Sequence, residues 1–188
     1  GRANNDLFVG GRKPWCKPDE VSADAVADVV LRCPTGALTF TRKDGGAEET
    51  ADSENVVLVA YNGPLYVRGD LDIDGAEGDM NGVRFRAALC RCGQSKNKPF
   101  CDNSHLEAGF KDFGAVGEKG DGLEQQGGKL TIRSVPNGPL LLSGNFAIVA
   151  SSGRIAWQGK QAALCRCGQS ANKPFCDGSH SEADFKAD

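Results

Sequence analysis

Residues 89–105 have the sequence LCRCGQSKNKPFCDNSH, and residues 164–180 repeat it as LCRCGQSANKPFCDGSH. The two stretches agree at 15 of 17 positions, and the differences are Lys96 against Ala171 and Asn103 against Gly178. Six of the eight cysteines and both histidines of the chain lie within them. Such clustering favours metal binding over a disulfide framework, because disulfide-bonded chains spread their cysteines across many loops.

The offset of 75 residues between the two stretches continues on both sides of them. Upstream, Asn62-Gly63-Pro64-Leu65 recurs at residues 137–140, and downstream Phe110 recurs as Phe185. An ungapped offset of this length indicates a duplication. A glycine-rich, charged stretch separates the copies and has the composition of a flexible linker. The predicted organisation is an N-terminal segment at residues 1–50, a first unit at 54–112, the linker at 113–128 and a second unit at 129–188.

Each unit is predicted to consist mainly of β-strands, because β-branched and apolar runs alternate with turn signals such as Asn-Gly-Pro. The predicted strands span residues 56–61, 65–71 and 83–89 in the first unit and residues 130–135, 140–149 and 154–164 in the second. A short helix is expected after each motif, at residues 104–113 and 179–186, with Asp102 and Asp177 as N-caps. The predicted fold class is α+β, mostly β, with two duplicated β-rich units and a small N-terminal α/β segment.

The two motif loops share the spacing Cys-x-Cys-x8-Cys-x3-His. Three thiolates and one imidazole suit a soft or borderline metal, so an iron–sulfur cluster and zinc are the two candidates. The Cys-x-Cys pair can bind one iron, and the third cysteine with the histidine can bind a second iron from the start of a helix, whose partial positive charge suits an anionic cluster. The predicted ligands are Cys90, Cys92, Cys101 and His105 in the first loop and Cys165, Cys167, Cys176 and His180 in the second.

These residues resemble the CDGSH iron–sulfur family, whose motif is Cys-x-Cys-x2-Ser/Thr-x3-Pro-x-Cys-Asp-Gly-Ser/Ala/Thr-His. The second loop fits this motif throughout, and the first departs from it at Asn103, a residue type that tolerates left-handed backbone. The resemblance implies one [2Fe–2S] cluster per Cys3His loop. It also implies that the two units pair beneath a shared β-cap, as a monomer with an internal pseudo-two-fold axis. The motif residues expected around the ligands are Ser95, Pro99, Asp102 and Ser104 in the first loop and Ser170, Pro174, Asp177, Gly178 and Ser179 in the second.

The N-terminal segment is predicted to contain a helix at residues 22–33, capped by Ser22, and a strand at residues 37–41. The stretches PWCKPD at residues 14–19 and RCPTGAL at residues 32–38 are similar to a divergent single-cluster ferredoxin-like domain found in small bacterial proteins. A [4Fe–4S] cluster needs about four ligands, whereas this segment offers Cys16 and Cys33. We expect Cys33 to have a structural role, because free cysteines are often buried.

The leading functional prediction is a carrier of electrons or of iron–sulfur clusters that binds two [2Fe–2S] clusters. Its partner would be a redox protein or an apo-acceptor protein, and no catalytic role is expected because no acid–base constellation stands out beside the motifs. The alternative is a zinc-binding interaction module with two Cys3His sites.

Composition narrows the remaining function classes. A formal charge of −3 without clustered Lys/Arg argues against nucleic acid as a partner. No apolar run approaches the roughly 18–20 residues that a membrane span requires. Reduced thiols favour the cytoplasm as the compartment, and the N-terminal resemblance favours a bacterial source.

Overall fold

Successive side chains of a strand point to opposite faces of the sheet, so burial alternates along β1, where Val57 and Val59 are buried and their neighbours are half-buried. The computed structural model describes residues 4–78 and 80–187, and within them seven strands form one mixed sheet. The strands are β1 (Val56–Val59), β2 (Leu65–Arg68), β3 (Asp70–Ile73), β4 (Arg86–Leu89), β5 (Lys129–Ser134), β6 (Leu140–Val149) and β7 (Ile155–Leu164). The helices are α1 (Ala23–Leu31) and α2 (Ser104–Glu107), with short 3-10 helices at Pro18–Glu20 and Asn81–Arg84.

This mostly β architecture with few helices confirms the predicted fold class at that level. The described residues leave out residues 1–3 of the predicted N-terminal segment, residue 79 of the first unit and residue 188 of the second unit. No helix in the described part of the chain is long and apolar enough to cross a membrane.

The strand predictions agree closely with the structure in the second unit and less closely in the first. The predicted strand at residues 140–149 coincides with β6, whereas the predicted strand at residues 65–71 is two strands, β2 and β3. The break lies at Gly69, which has a φ of 140°, and the Asp70 amide after it donates to the buried Asn55 side chain at 3.0 Å. The predicted strand at residues 83–89 begins as a 3-10 helix, so only β4 belongs to the sheet.

The helices predicted after the two motifs are only partly present. The helix predicted at residues 104–113 is reduced to α2, and its N-cap is Asn103 rather than Asp102. The helix predicted at residues 179–186 is wrong, because this stretch forms successive turns and Asp184 has a left-handed φ of 46°. Asp177 therefore caps no helix.

The N-terminal segment contains the predicted helix and lacks the predicted strand. Helix α1 is capped by Ser22, whose hydroxyl accepts a hydrogen bond from the Ala25 amide at 3.2 Å. The strand predicted at residues 37–41 is wrong, and these residues are irregular. The Leu38 carbonyl accepts a hydrogen bond from the Arg86 side chain instead of joining a strand ladder.

The two copies of the repeat exchange strands within the sheet. Strand β1 pairs in parallel with the end of β6, where Val56 lies opposite Ala147. Strand β3 pairs in parallel with β5, where Asp72 lies opposite Thr131. Since Ala147 corresponds to Asp72 and Thr131 to Val56 under the 75-residue offset, each pairing is the reciprocal of the other.

The buried face of the sheet joins both copies into one hydrophobic core. Apolar residues from both halves belong to a single cluster, including Val57, Leu89, Leu130 and Leu164. Residues 113–128 contain no helix or strand, and Val116 is buried in the same cluster. A second, small cluster of Leu7, Phe8 and Val29 lies within the N-terminal segment.

Candidate metal centre

The Cys-x-Cys pair of each motif directly follows a strand of the sheet. Strand β4 ends at Leu89 and β7 ends at Leu164, so Cys90 and Cys165 begin their loops from rigid positions. In the first loop the Sγ atoms of Cys90 and Cys92 are 3.8 Å apart, and both residues are buried. The corresponding Sγ atoms of the second loop are 3.7 Å apart.

The third cysteine and the histidine of each motif form a second pair. Their spacing of four residues places Cys101 and His105 side by side across the start of α2. The Cys101 Sγ and His105 Nδ1 atoms are 3.5 Å apart, and the Cys176 Sγ and His180 Nδ1 atoms are 3.4 Å apart. The turn after Cys176 therefore reproduces the pair geometry without a helix.

The distances within these pairs fit tetrahedral metal coordination. A tetrahedral ion with metal–sulfur bonds of about 2.3 Å holds two sulfurs about 3.8 Å apart, and a sulfur and a nitrogen about 3.5 Å apart. Within residues 4–78 and 80–187, no group of three or more His, Cys, Asp or Glu side chains is spaced for one shared ion. The close contacts between donor atoms of each loop are the Cys-x-Cys pair and the Cys–His pair, and each distance is one that a single tetrahedral metal ion could span.

Backbone amides that donate to the sulfur atoms favour the ionised form that binds a metal, whereas burial opposes it and raises the pKa of Cys101 and Cys165. Backbone amides of Gln94 and Asn103 each donate to a motif sulfur at 3.4 Å. The hydrogen bond between the Cys90 and Cys92 sulfurs lowers the pKa of Cys90 to about 6. The same bond, together with burial, raises the pKa of Cys92. Metal binding needs the deprotonated thiolates, so it would displace protons from this pair.

The serine of each motif fixes the long loop between the two pairs. The buried Ser95 hydroxyl donates to the Phe100 carbonyl at 2.6 Å and accepts from the Asn97 amide at 3.0 Å. Ser170 makes the corresponding bonds in the second loop, at 2.7 Å and 3.0 Å. The carbonyls of Pro99 and Pro174, the other predicted loop positions, accept from the amides of the first cysteines, each at 2.8 Å.

The aspartate of each motif ties the loop to the residues that follow it. Asp102 accepts hydrogen bonds from the amides of Lys96 and Ser104, which hold the pKa of its carboxyl well below its usual range. Asp177 accepts from the hydroxyl and amide of Ser179 and from the amide of Ala171, with the same effect on its pKa. The next residue is left-handed in both loops, with φ of 71° at Asn103 and 90° at Gly178. Asparagine thus preserves the loop where the family has glycine.

Two buried arginines of these loops were not predicted as site residues. Arg91 and Arg166 stand between the first two cysteines of each motif, and both are 1% exposed. The Arg91 guanidinium donates to the carbonyls of Gly63 and Ala60 at 3.0 and 2.6 Å and forms an ion pair with Asp112. The only signal in the sequence was that both copies have an arginine at this place. Its burial was not expected, because arginine is rarely buried unless its charge is paired.

Arg166 makes the corresponding contacts in the second copy. It donates to the carbonyls of Gly138 and Val135 at 2.9 and 2.6 Å, and its guanidinium lies 5.4 Å from the centre of the Phe185 ring. Arg91 lies 5.1 Å from the ring of Phe110, the residue that corresponds to Phe185. Each arginine therefore connects a Cys-x-Cys pair to the turn between the first two strands of its unit and to the aromatic ring that follows the motif.

The two motif loops meet each other at glycine. A Cβ atom at Gly93 would lie 2.4 Å from the Cys167 carbonyl oxygen, and one at Gly168 would lie 2.6 Å from that of Cys92. Only glycine allows this close approach of backbone to backbone. The Cys-x-Cys-Gly turns of the two copies therefore pack against each other reciprocally.

The cysteines of the N-terminal segment lie apart from these pairs in the sequence and have different surroundings. Cys16 packs against the small cluster around Leu7 and Phe8. Cys33 is half-buried and its Sγ lies 3.4 Å from the Thr35 hydroxyl. Burial opposes ionisation of Cys33, but hydrogen bonds from Thr35 and from nearby backbone amides outweigh it and lower the pKa. The structural role expected of Cys33 stays a prediction.

Comparison with known proteins finds family models that match the same segments. Residues 62–106 and 137–181 match the family described as iron-binding zinc finger, CDGSH type. Residues 1–43 match the family described as divergent 4Fe-4S mono-cluster. Both resemblances seen in the sequence, including the tandem arrangement, are thus confirmed.

Two curated relatives from Escherichia coli also match part of the chain. They carry the name "Uncharacterized protein YjdI", in strains K12 and O157:H7, and each is 48% identical over 42 residues. The match covers 22% of this chain and 55% of each relative, so the chain spans about half the length of the curated relatives it matches.

Proposed function

Since the chain carries two CDGSH-type iron-binding domains behind a divergent 4Fe–4S-type segment, we propose that it binds two [2Fe–2S] clusters and carries electrons or clusters between other proteins. Each cluster is held by three cysteines and one histidine. The first set of ligands is Cys90, Cys92, Cys101 and His105, and the second is Cys165, Cys167, Cys176 and His180.

The observation that carries this proposal is the division of each donor set into two pairs. A sulfur–sulfur distance of 3.8 Å and a sulfur–nitrogen distance of 3.5 Å each suit one tetrahedral iron. A [2Fe–2S] cluster presents two such irons, whereas a single zinc would draw all four donors around one ion. The paired arrangement favours the cluster over the zinc module.

A bound cluster would supply one-electron redox chemistry at each site. The protein's part is to hold the thiolates, keep water away and set the charge around them. Burial of Cys90 and Cys92 limits access of solvent, and amides that donate to the sulfurs disperse negative charge. The buried guanidiniums of Arg91 and Arg166 hold the residue between the two cysteines of each pair to backbone carbonyls of the same unit.

We further propose that the two units form an internal pseudo-dimer. The reciprocal pairing of β1 with β6 and of β3 with β5 supports a pseudo-two-fold relation between the copies. The reciprocal contact of Gly93 with the Cys167 carbonyl and of Gly168 with the Cys92 carbonyl supports the same relation at the loops. A single chain then provides what two copies of a one-motif chain would provide together.

A carrier needs partners, and two classes fit the proposal. A redox protein would exchange single electrons with the clusters, and an apo-acceptor protein would take a whole cluster. Thiolate ligands are compatible with the reducing conditions of a bacterial cytoplasm, which is the compartment that we propose.

A spectroelectrochemical titration tests the role of the histidines in electron transfer. We expect the absorption to bleach and recover reversibly, because a carrier must return to its starting state. The variants His105→Cys and His180→Cys are expected to lower the midpoint potential of their own site by on the order of 100 mV or more, since a thiolate adds negative charge where imidazole is neutral.

The matched control for this titration is Leu106→Ala. Leu106 follows His105 directly, yet its side chain is 72% exposed, so its loss should leave both potentials unchanged. Potentials that stay the same in both cysteine variants would contradict histidine ligation. Absorption that bleaches irreversibly, with loss of iron in the first cycle, would contradict an electron carrier and favour cluster donation.

A further inference from the structure

The N-terminal segment is anchored to the first unit through one buried arginine. Arg86, the first residue of β4, is 0% exposed, and its guanidinium forms two hydrogen bonds of 2.8 Å with the Glu49 carboxylate. It also donates to three backbone carbonyls of the segment, those of Val30, Cys33 and Leu38, at 2.6, 2.7 and 3.2 Å. A fully paired, buried ion pair of this kind fixes the relative position of the two parts that it connects.

Backbone packing reinforces the same contact. A Cβ atom at Gly36 would lie 2.3 Å from the Arg86 carbonyl oxygen, and one at Gly82 would lie 2.1 Å from the Gly36 carbonyl oxygen. The loop around Gly36 therefore sits directly on the 3-10 helix Asn81–Arg84 and on the start of β4. Three residues lie between Arg86 and Cys90, so the contact lies on the strand that leads directly into the first predicted ligand.

The same loop lines a cavity together with Cys101, a member of the second ligand pair of the first site. A cavity of about 350 Å³ is lined on one side by Thr35, Gly36 and Thr39 of the N-terminal segment and on the other by Ala88 and Cys101. The Cys101 amide donates to the Ala88 carbonyl at 2.8 Å, so displacement of Cys101 requires a change in this wall. The segment thus forms part of the surroundings of the Cys101–His105 pair.

The second site has different surroundings. The residue that corresponds to Arg86 is Gln161, which is exposed on β7. The second loop is contacted by the linker through the Glu118 and Asn172 side chains, a pair that lies at the surface rather than in the interior. His105 is buried, whereas His180 is half-buried.

We propose that the N-terminal segment, docked through Arg86, slows the loss of the cluster from the first site. The second site lacks this contact, so the two clusters are released at different rates, the second one faster. This inference rests on the proposed cluster binding. Loss of a cluster requires its loop to open. Both loops share the contacts of the motif itself, which opening must break in either copy. Opening of the first loop also disturbs β4, the wall at Cys101 and the buried Arg86–Glu49 pair, whereas the linker adds only a surface contact to the second loop.

Chelator-driven cluster loss at constant pH tests the proposal. In the purified full-length holoprotein with excess EDTA, the visible absorption should fall in two phases of equal amplitude. Arg86→Gln, which installs the residue of the second copy, should accelerate the slow phase by roughly tenfold, because the paired charge that anchors the segment is lost. Glu49→Gln keeps the side chain's size and should act in the same direction by a smaller factor. Gln161→Ala, at the matching exposed position, should change neither phase.

Assignment of the phases uses a variant that lacks one predicted site. Cys176→Ser should remove the fast phase and leave the slow one, since the first site alone remains loaded. A single phase in the wild-type holoprotein, or a slow phase that Arg86→Gln and Glu49→Gln both leave unchanged, would overturn the proposal while leaving cluster binding intact.

A measurement on the apoprotein, which contains no iron, tests the docking of the N-terminal segment independently of the proposed cluster binding. Hydrogen exchange of the apoprotein should show the hydrogen-bonded amides at the end of α1, including that of Cys33, protected in the wild type and released in Arg86→Gln. Equal protection in both would overturn the anchoring role of Arg86. A protein that purifies without iron yet shows this difference would sustain the docking and refute the proposed function, and with it the difference in cluster release.

Discussion

Replacement of Cys92 by serine is expected to lower the iron content of the anaerobically purified protein from about four to about two irons per chain. Serine offers a hard hydroxyl oxygen in place of a soft thiolate, and Cys90 would lose the partner whose sulfur lies 3.8 Å away. Cys167→Ser should have the same effect through the second loop. The double variant should contain almost no iron, and colorimetric determination of iron and inorganic sulfide measures each step.

The matched control for these variants is Lys96→Ala. Lys96 is exposed in the first loop, and the second copy already carries alanine there, so this change should leave the iron content at its wild-type value. Retention of full iron by Cys92→Ser would contradict its role as a ligand. Loss of all iron from a folded single variant would contradict two independently loaded sites.

Replacement of Arg91 by leucine is expected to lower the free energy of unfolding of the apoprotein by about 3–5 kcal/mol. The change leaves Asp112, whose side chain is 18% exposed, without its cation, and it removes the donors to the carbonyls of Gly63 and Ala60. Leucine fills part of the space but replaces none of these hydrogen bonds. Unfolding in guanidinium chloride, followed by circular dichroism in the absence of metal, measures the effect without a contribution from iron.

The control for this experiment is an arginine at the surface. Arg133 pairs with Asp72 and Asp74, but all three side chains are more than 40% exposed. Arg133→Ala should therefore change the free energy of unfolding by less than about 1 kcal/mol. If Arg91→Leu has an equally small effect, the buried guanidinium does not hold the loop to its unit.

The sequence carried most of the information about the candidate site because the motif is written twice. The spacing of Cys90, Cys92, Cys101 and His105 predicts which side chains come together, and the structure brings them together in pairs. The left-handed residue after each aspartate was also predictable, since asparagine and glycine share that conformation. Local patterns of this kind depend on few residues outside the loop.

Features that depend on distant parts of the chain were not predictable. The reciprocal pairing of β1 with β6 and of β3 with β5 joins two copies whose sequences fit pairing within a copy equally well. Burial of Arg86 and Arg91 runs against the usual exposure of arginine and follows from carbonyls supplied by other segments. The helix predicted at residues 179–186 was lost to turns, because tertiary contacts outweigh propensity in so short a segment.

The most direct test of the central claim is the visible absorption spectrum of the anaerobically purified protein, with iron, inorganic sulfide and zinc counted per chain. Two [2Fe–2S] clusters predict a red protein with charge-transfer bands that bleach on reduction by dithionite, and about four irons and four sulfides per chain. A colourless protein with about two zinc ions and no sulfide would contradict the account and assign the two Cys3His loops to zinc.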